Sequence, residues 1–197
     1  MAKESKLGRL GPVHASPLSL PGMTRQSRLG GHCAILSGVT GTSPVTTAES
    51  LMPSTPWTLH PQLAADTVPV GDLKLARVLL AKDANYPWLI LVPRRAGVSE
   101  VIDLAEREQV QLLGEIAAAA KALKEIVPCD KLNIAALGNM VAQLHVHVIA
   151  RTKKDAAWPK PVWGTVPPRA YDARAMDALL AALWQRLPIA PADRPAR

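Results

Sequence analysis

AQLHVHVIART, Ala142 to Thr152, sets two of the chain's five histidines one residue apart among β-branched and leucine residues. On a strand, alternate side chains share a face, so Gln143, His145 and His147 are expected to point one way. Leu144, Val146 and Val148 then point the other way, into a core. The strand rise puts the two histidine Cα atoms roughly 6.6 Å apart, close enough for both rings to reach one small group. Apolar neighbours on the buried face would hold those rings in fixed rotamers.

Working outward, the flanking sequence predicts a strand over KLNIAALG (131–138), a tight bend at Gly138-Asn139 and a strand over VAQLHVHVIAR (141–151). Upstream, WLILVPRR reads as a central strand ending at Pro93, and Asp83 to Pro87 as a loop. Pro69 and Gly71 suggest a turn leading into a strand over DLKLARVLLAKD, with a short helical or irregular entry at TLHPQLAADT. Between the strand pairs the period changes. Ser99 can cap a helical turn, and Glu106 to Ile126 carry Leu113, Ile116, Ala120 and Leu123, with Val127 following, at helical spacing; Pro128 ends that helix. Met176, Leu179, Leu180, Leu183 and Leu187 mark a C-terminal amphipathic helix. Strands with one long helix between them and another at the end predict an α+β fold: an antiparallel sheet of about five strands, not a doubly wound one. Neither GxGxxG nor GxxxxGK[ST] occurs.

Residues 1–51 differ from the rest. They are rich in Ser, Thr, Gly and Pro without helical or strand periodicity, so a disordered extension is expected. A transit peptide, a flexible tail and a start codon placed too far upstream are all open, and translation from Met52 is favoured. The domain expected to follow runs over 52–169, with a C-terminal helix and tail over 170–197.

Composition narrows the classes. The 197 residues are 48% hydrophobic, enough for one domain with a core, and no apolar run approaches the ~20 residues of a spanning helix. Cys33 and Cys129 form no disulfide framework or zinc-type pair, so a reducing cytoplasm is the default. Net charge is +7. Residues 52–197 contribute eighteen Lys/Arg against fourteen Asp/Glu, and their longest basic cluster is RTKK at 151–154. Such modest charge suits a small phosphate ligand as well as a nucleic acid, and it makes a nucleic-acid partner the weaker reading.

From the residues alone, the histidine pair has three open readings: a solvated face, a metal site or nucleophilic catalysis. A metal site needs a third ligand, and His60, Cys129 and Asp130 stand at no recognisable spacing. In catalysis, one imidazole attacks phosphorus and its neighbour binds phosphate or handles a proton.

The block LNIAALGNMVAQLHVHVIAR resembles the signature of the histidine triad (HIT) superfamily of nucleotide hydrolases and transferases, H-φ-H-φ-H-φ-φ preceded by an Asn and a Gly-containing bend. The resemblance extends through DANYPWLILVPRR and covers roughly residues 70–151. It implies that His145 is the nucleophile forming a nucleotidyl intermediate and that His147 contacts phosphate or leaving group. Gln143 stands where the family has its first histidine; an amide hydrogen-bonds but cannot shuttle a proton. By the same resemblance Asn133 contacts nucleotide, Gly138 and Asn139 line the phosphate, and Asp83 and Asn85 fall near the base and ribose. Met140 supplies no hydroxyl where many members have Ser or Thr. Ala96 replaces a common histidine, and Arg94 and Arg95 could compensate with fixed charge toward a polyphosphate. The implied substrate is a nucleotide or dinucleotide, with no metal required and Mg²⁺ possible alongside a polyphosphate; a homodimer is implied as well. The rival reading is a non-catalytic nucleotide-binding module. An attacking imidazole must be neutral, and the ring ordinarily titrates near ~6.5, so activity is expected to fall in mild acid.

Overall fold

The computed structural model describes residues 56–195. The expectations for residues 1–51 with Cys33, and for a start at Met52, lie outside the described residues. Within them the order is α1 (Pro61–Asp66), β1 (Thr67–Asp72), β2 (Ala76–Ala81), β3 (Trp88–Pro93), α2 (Glu106–Ile126), β4 (Lys131–Ala135), β5 (Val146–Arg151) and α3 (Ala173–Arg186). The five strands form one antiparallel sheet in the order β1-β2-β3-β5-β4. This is the α+β architecture that the strand and helix periods predict.

The sheet has two unlike faces. Val78, Leu91 and Val146 are in register across β2, β3 and β5 and join the core beneath α2 and α3. Leu79, Ile90, His147 and Ala135 form the neighbouring cross-strand row, which faces the opposite side. There Leu79 and Ile90 pack with Leu63 of α1, Val92 and Val141. On the same face Ile149 packs with Tyr86, Ala157 and Val162. One face therefore carries the helices and the other is left to a short helix and loops.

Several elements depart from the sequence reading; β4, for one, ends at Ala135 instead of running to Gly138. Pro69 and Gly71 lie inside β1, not in a turn before a strand. Proline is tolerated because β1 is an edge strand, and the ladder absorbs an irregularity between Pro69 and Gly71. Gly71 sits so close to the C-terminal tail that a Cβ there would meet the Ile189 side chain at 2.6 Å. Strand β5 begins at Val146, not Val141, because residues 141–145 bend away to other partners; the Leu144 N–H, for example, donates to the Val98 carbonyl at 3.0 Å. At the turn before α2, the Ser99 and Glu100 N–H groups donate to the Asp103 carboxylate, so Asp103 supplies the cap instead of Ser99.

Helix α2 has the expected bounds, and of its expected apolar positions Ala120 and Leu123 are buried and Ile116 packs partly buried against the core. Leu112, Ala119 and Ala122 are buried as well, whereas Leu113 is the exception at 67% exposed. Glu115 sits on the buried face, and a carboxylate there disguises the pattern. Its Oε1 accepts from the Leu75 N–H and Oε2 from the Ala76 N–H, each at 2.8 Å, and Gln111 donates to Oε1 at 2.8 Å. The carboxylate thus caps the β1–β2 turn from beneath. Helix α3 starts at Asp172, whose Oδ1 accepts from the N–H groups of Arg174 and Ala175, and it packs on α2 and β1.

Glu115→Ala would leave two buried backbone donors without partners, so the fold is expected to lose about 2–4 kcal/mol, measured by urea unfolding. A loss below about 0.5 kcal/mol would show that the β1–β2 turn does not depend on this carboxylate.

Candidate active site

The outer sheet face opens into a cleft of about 630 Å³. α1 and the end of β2 form one wall, and the bend at 137–141 forms another. His145 and His147 stand in it together, 7% and 6% exposed, with ring centroids 4.9 Å apart and planes nearly perpendicular. His145 lies one residue before β5 yet shares the cleft with His147, as alternation requires.

Each ring has a partner that decides which nitrogen carries hydrogen. His145 Nδ1 lies 2.7 Å from the Gln143 carbonyl oxygen. A carbonyl only accepts, so in the neutral ring Nδ1 carries the proton and Nε2 keeps the lone pair. For His147 the order is reversed. The Trp88 indole N–H donates to His147 Nδ1 at 3.0 Å, and an indole only donates. Nδ1 is therefore the acceptor and the hydrogen sits on Nε2. Burial, with the neighbouring His145 adding to it, lowers the His147 pKa to about 4. The ring accordingly stays neutral through mild acid. The pair comprises one imidazole with an available lone pair beside one held as an N–H donor.

Trp163 closes the arrangement from the loop after β5. It meets the rings of His147 and Trp88 edge-on, at 5.4 and 5.7 Å between centroids. The loop itself is tied down by Arg151, which is 1% exposed. Its guanidinium grips Asp155 through Nε at 2.7 Å and NH2 at 2.9 Å, and NH2 also donates to the Lys160 carbonyl. Trp158 lies over the same guanidinium, 5.8 Å from its ring centroid, and away from the histidines.

The structure brings His145, His147, Gly138, Asn139 and Asp83 to the cleft. Gly138 turns the chain there with φ +75°, a conformation that favours glycine. Asp83 Oδ1 accepts from the backbone N–H groups of Asn85 and Arg169, which fixes the loop beside β2. The other residues singled out by sequence lie elsewhere. Asn133 Oδ1 accepts from Arg151 NH1 at 2.7 Å, and Asn85 Nδ2 donates to the Pro167 carbonyl. Arg94 donates to the Leu73 and Lys74 carbonyls and lies near Asp72, while Arg95 pairs with Glu108 at 2.6 Å. The Gln143 amide bonds the backbone of residues 58 and 60. None of these five lines the cleft.

The sequence reading overlooked Trp88, Lys82, Asp66 and Leu63, all of which line it. Trp88 was absorbed into an apolar run; its signal was an indole donor opening a strand that pairs with the histidine strand. The charged groups lining the cleft are Lys82 against Asp66 and Asp83, and most of the remaining wall is apolar. Among the described residues no cluster of three or more His, Cys, Asp or Glu side chains could hold a metal ion. No described helix is long and apolar enough to cross a membrane.

With this geometry in hand, comparison with known proteins is direct. The HIT domain family model matches residues 62–154. An AP-4-A phosphorylase from Mycobacterium tuberculosis is 32% identical over 150 residues, spanning 71% of this chain and 74% of its own. A histidine triad protein of solved structure from Bradyrhizobium japonicum is 56% identical with a TM-score of 0.67, covering 68% of this chain and 99% of its own. Another, from Marinobacter aquaeolei, is 44% identical with a TM-score of 0.66, covering 68% and 97%. The chain belongs to the histidine triad family.

Proposed function

We propose that the protein is a nucleotide hydrolase or nucleotidyl transferase that cleaves a nucleoside phosphoric ester, anhydride or phosphoramidate through a nucleotidyl intermediate on His145. The observation carrying this is the 2.7 Å contact from His145 Nδ1 to the Gln143 carbonyl, which leaves Nε2 as a bare lone pair in the cleft. The nucleoside lies against the apolar wall of Leu63, Ile90, Val141 and Trp163, with its α-phosphorus over His145. Nε2 attacks in line. A nitrogen–phosphorus bond forms as the bond to the leaving group breaks, and that group departs with the electron pair and a proton drawn from water at the cleft mouth. His147 Nε2–H and the backbone at Gly138-Asn139 donate to the non-bridging oxygens, stabilising the charge spread over them. Water then attacks phosphorus, the nitrogen–phosphorus bond breaks with its electron pair returning to Nε2, the proton that this water loses replaces the one drawn in the first step, and a nucleoside monophosphate leaves.

His147 suits this work because it is neutral. A donor whose pKa lies near 4 stays an N–H donor at neutral pH without gaining or losing a proton during the reaction. The similarity to an AP-4-A phosphorylase supports a dinucleoside polyphosphate as one substrate and phosphate as an alternative acceptor to water. Mg²⁺ would accompany such a substrate as its charge partner; no step needs a metal held by the protein.

The test is release of AMP, or of ADP when phosphate is supplied, from adenosine phosphoramidate and diadenosine polyphosphates. His145→Asn is expected to lower turnover at least about 1,000-fold with binding retained. Unchanged turnover in that variant removes the nucleophile. Tight nucleotide binding by wild type, with no product over hours, would replace the hydrolase with a binding module.

We also propose a homodimer. Among the described strands β4 lies at the sheet edge, with β5 as its neighbour on one side only, and it carries Ile134 at 52% exposure. Helix α2 exposes Val110 and Leu113 at 68% and 67%. A second copy continuing the sheet and covering α2 would bury these residues. Sedimentation velocity should give the mass of two chains for wild type and of one for a variant carrying both Leu113→Asp and Ile134→Asp. A wild-type mass of one chain at micromolar concentration rules the dimer out.

A further inference from the structure

We propose that Gln143 is a positioning residue that clamps the nucleotide-facing wall to the strand carrying the nucleophile. Its side-chain amide spans two backbone groups of one extended segment: Oε1 accepts from the His60 N–H and Nε2 donates to the Thr58 carbonyl, each at 2.9 Å. These two bonds flank Leu59 as a neighbouring strand's ladder would. A carboxamide carries acceptor and donor side by side in one plane, whereas the two nitrogens of an imidazole diverge and cannot engage both groups. Glutamine therefore does here what a histidine at this position would not.

What the clamp holds is the start of α1. His60 is the residue before that helix, and its Nδ1 accepts from the Gln62 N–H at 3.2 Å. Gln62, Leu63, Ala65 and Asp66 then line the cleft, with Leu63 buried against Leu79, Ile90, Val92 and Val141. A six-residue helix has little stability of its own and depends on such anchors. The same residue holds the nucleophile from its other end, because its main-chain carbonyl is the acceptor for His145 Nδ1. Side chain and main chain of Gln143 thus fix the wall and the attacking ring relative to each other. The side chain itself does not line the cleft, so it acts through α1 and not on the reacting atoms.

The kinetic part of this proposal rests on the hydrolase reading; the structural part does not. Gln143→Met removes both bonds at nearly constant volume, and Gln143→His restores the imidazole of the family's first triad position. Amide hydrogen exchange on the full chain reads the clamp without substrate. In both variants the His60 amide is expected to exchange about tenfold faster or more, with the α2 amides unchanged. With adenosine phosphoramidate, both should raise KM about tenfold and leave kcat within about threefold, the mark of lost substrate positioning. Unaltered exchange at His60 overturns the clamp. So does a large fall in kcat at constant KM, or a rise in kcat for Gln143→His, since either would put residue 143 in the chemistry. If wild type neither binds nor cleaves nucleotides, the hydrolase reading fails, and His60 exchange alone upholds or overturns the clamp.

Discussion

A single buried strand serves two faces of the molecule, and the rest of the structure follows from that division. Val146, Val148 and Ala150 of β5 lock into the core beneath α2, while His147 and Ile149 face the other way. Because side-chain period and pleat are tied, the apolar half cannot shift register without removing the imidazole from the cleft. Precision at the site is thus a by-product of core packing. Glu115 secures the same core from the helix side, where its carboxylate satisfies the turn that joins β1 to β2.

The proposed chemistry depends on hydrogen placement more than on charge. Two adjacent imidazoles could have served as interchangeable acids and bases. Here a carbonyl and an indole, one an obligate acceptor and the other an obligate donor, assign them opposite roles. The cleft around them is mostly apolar, with one lysine against two carboxylates. Arg94 and Arg95 are committed to backbone carbonyls, Asp72 and Glu108 instead of a polyphosphate. In the proposed reaction, stabilisation of phosphate charge falls to fixed N–H donors, which cost no reorganisation.

Much of this was legible in the chain and some was not, for identifiable reasons. Helix α2 could be bounded because Pro128 and a 3.6-residue period agree, and the histidine pair announced its face through strict alternation. Leu113 is misplaced and Glu115 missed on the buried side of α2, because Glu115 is a charged residue whose burial depends on backbone partners forty residues away. Strand β1 escaped because Pro69 and Gly71 carry turn signals that an edge strand tolerates. At the site, the bonds of Gln143 reach across more than eighty residues of sequence, and no local pattern encodes them. Trp163 stands in a proline-rich loop, and its contact with His147 depends on how Arg151 and Asp155 fold that loop.

The proposed reaction turns on a transient bond between His145 and phosphorus, and stereochemistry tests for it without requiring the intermediate to accumulate. A substrate made chiral at the α-phosphorus by sulfur substitution would be cleaved in oxygen-18 water, and the configuration of the released nucleoside phosphorothioate determined. Two successive in-line displacements predict retention. Inversion would mean that water attacks phosphorus directly, and the nucleotidyl-histidine account would be wrong.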